Sequence, residues 1–225
     1  MVLRATRWNF MNIYKRQTNL VKPDQLNFPI LLIGCGGTGS WAYVALKKMG
    51  AKRIHVVDFD IIEPHNIASQ SYNKKNLGKT KSLILVQEDS GDTAFVGTFE
   101  DFFKSEVWKI RYPVVICAID SMDERIKLWE IIKKRDDVEL FLDPRIGGEL
   151  LRMYAVDPLD NKAVAFYESQ LYPSSKADPL PCGSRQIVYT TMFTGALIAN
   201  YVKKYAKKEP IKAETIMDFS TMNLV

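Results

Sequence analysis

Between Pro29 and Asp60 the chain carries a pattern that leaves few folds open. An apolar run, Ile30-Leu31-Leu32-Ile33, leads into Gly34-Cys35-Gly36-Gly37-Thr38-Gly39-Ser40. A helix-like segment follows from Trp41 to Met49, and a second apolar run, Ile54 to Val57, ends at Asp58-Phe59-Asp60. Strand, glycine turn, helix, strand and acid is the layout of a nucleotide site at the head of a doubly wound sheet. Glycine lets the backbone approach phosphate oxygens with no Cβ in the way. A helix that starts near Thr38 turns its free N–H groups and positive dipole end to the same place. Gly34, Gly36 and Gly39 satisfy Gly-x-Gly-x-x-Gly, and Asp58 stands about 20 residues on, where a nicotinamide dinucleotide needs its ribose acid. A dehydrogenase fits this far. Gly37 and Asp60 go beyond that fingerprint.

Further residues follow in order. Asn66 and Gln70 come after the second strand, and Lys81 follows Gly78 at a helix start. The apolar run Val114 to Ile119 ends at Asp120-Ser121, with Arg125 on the next helix. With this ordered set the chain resembles the ThiF/MoeB/E1-like adenylating family. Its pattern is Gly-x-Gly-Gly-x-Gly, Asp-x-Asp, Asn-x-x-Arg-Gln, a helix-start lysine and a strand-end aspartate. The resemblance covers nearly the whole chain and weakens after Gly148. It implies a Rossmann-like α/β fold that adenylates a carboxylate with ATP and releases pyrophosphate. The implied substrate is a ubiquitin-like or sulfur-carrier protein ending in glycine. A peptide, a small molecule or a tRNA-linked acid is the alternative substrate, and a weak nucleotide-binding module the alternative function.

Residue chemistry supports a triphosphate beside the resemblance. Magnesium takes one or two carboxylates and fills the rest of its shell with phosphate and water. Asp120, at the carboxyl end of a central strand, is assigned to it. Asp58 is assigned to ribose hydroxyls, Lys81 to phosphate as a point charge, and Asn66 and Gln70 to neutral hydrogen bonds nearby. The plain alternatives stay open: Asp58 and Asp120 as helix caps, Lys81 as a solvated cation, Asn66 and Gln70 as turn residues. One position departs from the family pattern: Ser69 stands where an arginine precedes the glutamine. That departure leaves a weaker site, an inactive relative, or a substitute cation from Lys74, Lys79 or Arg145.

Cys182 lies in a proline- and glycine-marked loop, Asp178 to Ser184, ahead of a helix, where a thiol is accessible and its pKa low. The resemblance places a carrier-accepting cysteine in such a crossover loop; an incidental cysteine is the alternative. Cys35 and Cys117 fall in packed elements and read as structural. No Cys-x-x-Cys pair occurs, so no structural zinc is expected. Tyr14-Lys15-Arg16-Gln17 matches a family pattern in which Arg16 reaches the partner subunit's ATP, which implies a homodimer.

At 225 residues, one domain is expected, with an N-terminal arm at 1–28 and a crossover-type loop at 157–184. A net charge of +5 suits anionic ligands. There is no basic stripe with interleaved aromatics for nucleic acid, no signal peptide and no run long enough to span a bilayer, so a cytoplasmic setting is the expectation. The pattern predicts a helix over 78–89, a strand at 93–96, a helix over 122–134 and strands at 139–142 and 151–156. A polar loop over 157–184, a helix over 186–205 and a strand at 215–219 complete it. The sheet is therefore expected to be mostly parallel, with antiparallel strands late.

Overall fold

The computed structural model describes residues 13–86, 91–176 and 186–225, apart from the side chains of 107 and 108. One sheet organises these residues. β1 (Ile30–Ile33), β2 (Ile54–Val57), β3 (Thr93–Phe95), β4 (Val114–Cys117) and β5 (Leu140–Gly147) are parallel, and β6 (Leu150–Val156), β7 (Glu214–Asp218) and β8 (Asn223–Leu224) join antiparallel. The order is β3-β2-β1-β4-β5-β6-β7-β8. Every residue of β1, β2 and β4 is buried. A strand covered on both faces needs an unbroken apolar run, which is why these segments lack alternation.

Successive side chains of β1 enter opposite layers, as strand geometry requires. Ile30 and Leu32 pack with α1 (Gly37–Met49) and α6 (Val188–Lys207); Leu31 and Ile33 pack with α3 (Phe99–Lys104), α4 (Met122–Ile132) and α5 (Asn161–Ser169). Trp129, Phe141 and Tyr167 make edge and tilted ring contacts in the second layer. In the first layer α1 and α6 approach backbone to backbone: a Cβ on Gly195 would lie 2.6 Å from the carbonyl carbon of Trp41.

Several stretches differ from expectation, among them α3, where the pattern predicts no helix. The helix expected over 78–89 is shorter: α2 spans Lys81–Leu85, because Gly78 has φ +75° and Val86 is already extended. Within the expected polar loop at 157–184, α5 forms instead, started by Asp160, whose side chain accepts the N–H groups of Lys162 and Ala163. Among the described residues no helix is long and apolar enough to cross a membrane.

Candidate nucleotide site

The strand order reverses between β1 and β4, which carry their following segments to opposite sides. In an open α/β sheet the crevice at that reversal, outside the carboxyl ends of the strands, is where ligands bind. The glycine loop leaves β1 there and Asp120 follows β4. The two crossings touch: the Ala118 N–H donates to Ile33 O at 2.7 Å, and a Cβ on Gly34 would lie 2.4 Å from Ala118 O. Gly34 also has φ +93°, so both space and backbone exclude a side chain. Gly39 packs on the same turn, where a Cβ would sit 1.9 Å from Gly34 O. Gly36 differs from both. Nothing comes nearer its Cβ position than Gln70 Nε2 at 4.0 Å, so the loop is open above it.

α1 begins at Gly37 with no side-chain cap. Among the described residues no acceptor takes the N–H groups of Gly36, Gly37, Thr38 or Gly39. Unsatisfied amides at the start of a 13-residue helix make an anion cradle. Gln70 is buried beside it, and its Oε1 has no hydrogen-bond partner. An orphaned amide next to open amides fits a polar ligand in the cradle.

Asp58 ends β2 and fixes the loop from below. Its Oδ2 accepts the Cys35 N–H at 2.6 Å and its Oδ1 the Asp60 N–H at 2.7 Å. Burial pushes the Asp58 carboxyl above the usual carboxylate range, while these two N–H groups favour the anion. Lys81, at the start of α2, is 6% exposed, and its ammonium pairs with Asp60 at 2.8 Å. The lysine is thus held near the loop rather than solvated. Asn66 is buried, and its Oδ1 accepts the Glu63 N–H at 2.9 Å, which is a turn-capping role. Ser69 is buried as well: its carbonyl accepts from Trp41 Nε1 at 3.0 Å and Thr191 Oγ1 at 2.7 Å, and its Oγ from Gln186 Nε2 at 3.2 Å. Gln186 in turn lies over Gly37, with Oε1 2.4 Å from that residue's Cβ position. Sequence reading did not single out this link between α6 and the glycine loop.

Asp120 is exposed at the end of β4 and has no ion-pair partner among the described residues. Those residues also contain no group of three or more metal-ligating side chains. A lone carboxylate fits magnesium, because that ion draws most of its ligands from phosphate and water. Arg125 is buried and Arg145 partly buried. Arg125 pairs with the buried Asp143 and reaches the Cys117 carbonyl at 3.5 Å. Arg145 Nε donates to Asp143 at 2.8 Å, and its Nη1 to Gln170 O at 2.8 Å. Arg145 therefore braces β5 and leaves the role of a substitute cation to other residues. Lys74 and Lys79 are exposed.

Arg16 is exposed at the other end of α1. Its neighbour Gln17 donates to Met49 O at 2.6 Å. Met49 is the last residue of α1 and Gly37 the first, a rise of about 18 Å. Cys182 lies outside the described residues.

Known proteins resemble this chain in sequence and in fold. The chain is 27% identical over 128 residues to the tRNA threonylcarbamoyladenosine dehydratase of Escherichia coli K12, covering 54% of this chain and 47% of that protein. It is 27% identical over 118 residues to the NEDD8-activating enzyme E1 catalytic subunit of Dictyostelium discoideum, covering 49% of this chain and 26% of that protein. These alignments span less than half of either relative's length. Among solved structures, E. coli MccB matches with a TM-score of 0.71 at 17% identity, over 95% of this chain and 70% of that one, a likeness of fold. A family model matches residues 14–223, and the chain belongs to the ThiF family.

Proposed function

We propose that the protein adenylates a carboxylate with ATP, the acid attacking the α-phosphate and pyrophosphate leaving. Membership of the ThiF family supports the reaction type, and MccB has been solved with ATP. The observation that carries the reading is the convergence at the β1/β4 reversal of open amides at Gly36–Gly39, an orphaned Gln70 oxygen, Lys81, Asp58 and Asp120. A dinucleotide needs the amides and one acid. The extra lysine and the exposed second carboxylate suit a triphosphate and its cation.

In this reading the amides of Gly36–Gly39 and the Lys81 ammonium bind phosphate oxygens, and Asp58 receives ribose hydroxyls beside the loop it already fixes. Asp60 holds Lys81 in place. Gln70 accepts at the cradle through its unpartnered Oε1, and Asn66 shapes the turn that presents it. Asp120 would hold magnesium, which supplies charge neutralisation to the phosphates when bound. Catalysis is then mainly orientation and electrostatic stabilisation of the departing pyrophosphate.

The acid we favour is the terminal glycine of a ubiquitin-like or sulfur-carrier protein, supported by the NEDD8-activating relative. A peptide carboxylate is the second reading, favoured by the 95% coverage against MccB, whose solved complexes include MccA. Arg16 cannot reach its own glycine loop along α1, which supports its service to a partner subunit in a homodimer. Attack of the Cys182 thiolate on the acyl-adenylate, forming a thioester and releasing AMP, would follow adenylation. What supports it is that Gln186, the first described residue after the segment bearing Cys182, rests on Gly37. ATP–pyrophosphate exchange in the presence of candidate carriers and peptides tests the reading. Asp120→Ala should lose exchange by at least about 100-fold, in the range seen when one electrostatic stabiliser is removed. Full exchange in that variant contradicts the assignment of Asp120.

A further inference from the structure

Tyr72 is 5% exposed and belongs to none of the groups assigned above. Its hydroxyl donates to Cys35 O at 2.8 Å and lies 3.3 Å from Lys81 O. One phenolic hydrogen thus stands between the glycine loop and the first residue of α2. Burial pushes the phenol well above its ordinary value, so the group keeps its hydrogen and remains a donor.

Cys35 is consequently held at both of its peptide groups. Its N–H is taken by Asp58 Oδ2 at 2.6 Å and its carbonyl by Tyr72. The second bond sets the direction of the next amide. In a planar trans peptide the C=O and the following N–H point opposite ways. A Cys35 carbonyl turned inward to Tyr72 therefore turns the Gly36 N–H the opposite way, where none of the described residues accepts it. The same hydroxyl lies against the carbonyl of Lys81, whose N–H donates to Asp60 O at 2.9 Å. The loop and the lysine turn are joined through this one side chain.

We propose that Tyr72 is a positioning residue for phosphate recognition: it fixes the peptide between Cys35 and Gly36 so that the Gly36 amide faces the anion, and it holds the Lys81 turn against the same loop. This rests on the ATP reading above and adds a residue that touches neither nucleotide nor acid. Loss of the hydroxyl frees that peptide to rotate and leaves the ring volume in place. The effect falls on the phosphates and spares the nucleoside.

Tyr72→Phe, titrated in magnesium buffer with ATP and separately with adenosine, tests it. ATP affinity should fall about tenfold, the scale of one hydrogen bond to a charged group, while adenosine affinity stays within about twofold of the parent. Retained adenosine binding also shows that the variant is folded. Equal ATP affinity in parent and variant overturns the role of Tyr72 and leaves the ATP site standing. An equal fall for both ligands overturns it too, since that marks general loosening. A parent that binds adenosine and no ATP overturns the triphosphate reading and this inference together.

Discussion

The glycines of the loop do different work, and the distances separate them. Gly34 and Gly39 are required by backbone atoms of the protein itself, at 2.4 and 1.9 Å from their Cβ positions. Gly36 has no such neighbour; in the proposed reading its missing side chain leaves room for the ligand. Away from the site, His55 is buried in β2 with its Nδ1 2.8 Å from the Tyr112 hydroxyl. Burial, helped by the Arg53 charge, holds its imidazole below the ordinary value of 6.5. The unfolded chain therefore takes up this proton first as pH falls, and stability contributed by neutral His55 is present above 6.5 and lost as pH drops toward the folded value. Urea midpoints measured from about pH 7 down to about pH 5 should decline, and more steeply in the parent than in His55→Gln. Parallel slopes would show that His55 does not govern this range.

At the scale of elements, the seam between β4 and β5 is closed by charge. Asp143 accepts from Arg125, Arg145 and the Tyr167 hydroxyl, and is itself fully buried. Removing the acid leaves the buried Arg125 guanidinium without its counter-charge and Arg145 without its partner. Asp143→Ala should lower the unfolding free energy by about 3–5 kcal/mol, the cost of breaking a buried pair from one side; a denaturant series reads it, and a loss below about 1 kcal/mol would mean that water or another acid takes its place. The elements legible in the sequence were those under two-sided burial. β1, β2 and β4 are unbroken apolar runs, and α1 is bracketed by a glycine loop and by Gly50 in left-handed conformation with φ +107°. α5 was not legible, because only Tyr167 of its residues is buried and its apolar signal is thin; the Asp160 cap was the available clue. α3 was missed for its length, although Thr98 caps it by accepting the Asp101 N–H. Within the candidate site, the glycine turn and Asp58 stood out by spacing, Lys81 and Asp120 came with the family resemblance, and Tyr72 and Gln186 were not singled out. Their roles depend on contacts to residues 37 and 149 positions away in the chain, Cys35 and Gly37, and no local pattern records such contacts.

For the whole molecule, α1 separates the proposed phosphate cradle at its amino end from the arm bearing Arg16 at its carboxyl end. If Arg16 serves a partner's nucleotide, two inactive variants complement. A mixture of Arg16→Ala and Lys81→Ala, re-equilibrated as dimers, contains heterodimers in which one of the two sites is intact, and should regain about a quarter of the parent's exchange activity at equal proportions. No recovery, with mixed dimers demonstrated by mass, would place Arg16 outside the site. All of this depends on a triphosphate seated on the open amides of α1. Calorimetric titration of ATP with magnesium into the parent and into Gly36→Ala examines that seat directly, since the added methyl meets nothing in the protein nearer than an ordinary contact with Gln70 Nε2 at 4.0 Å. Saturable binding by the parent, weakened at least about tenfold by the methyl group with thermal stability retained, is the result expected. Equal affinity in the two proteins, or no heat of binding in the parent, would contradict it.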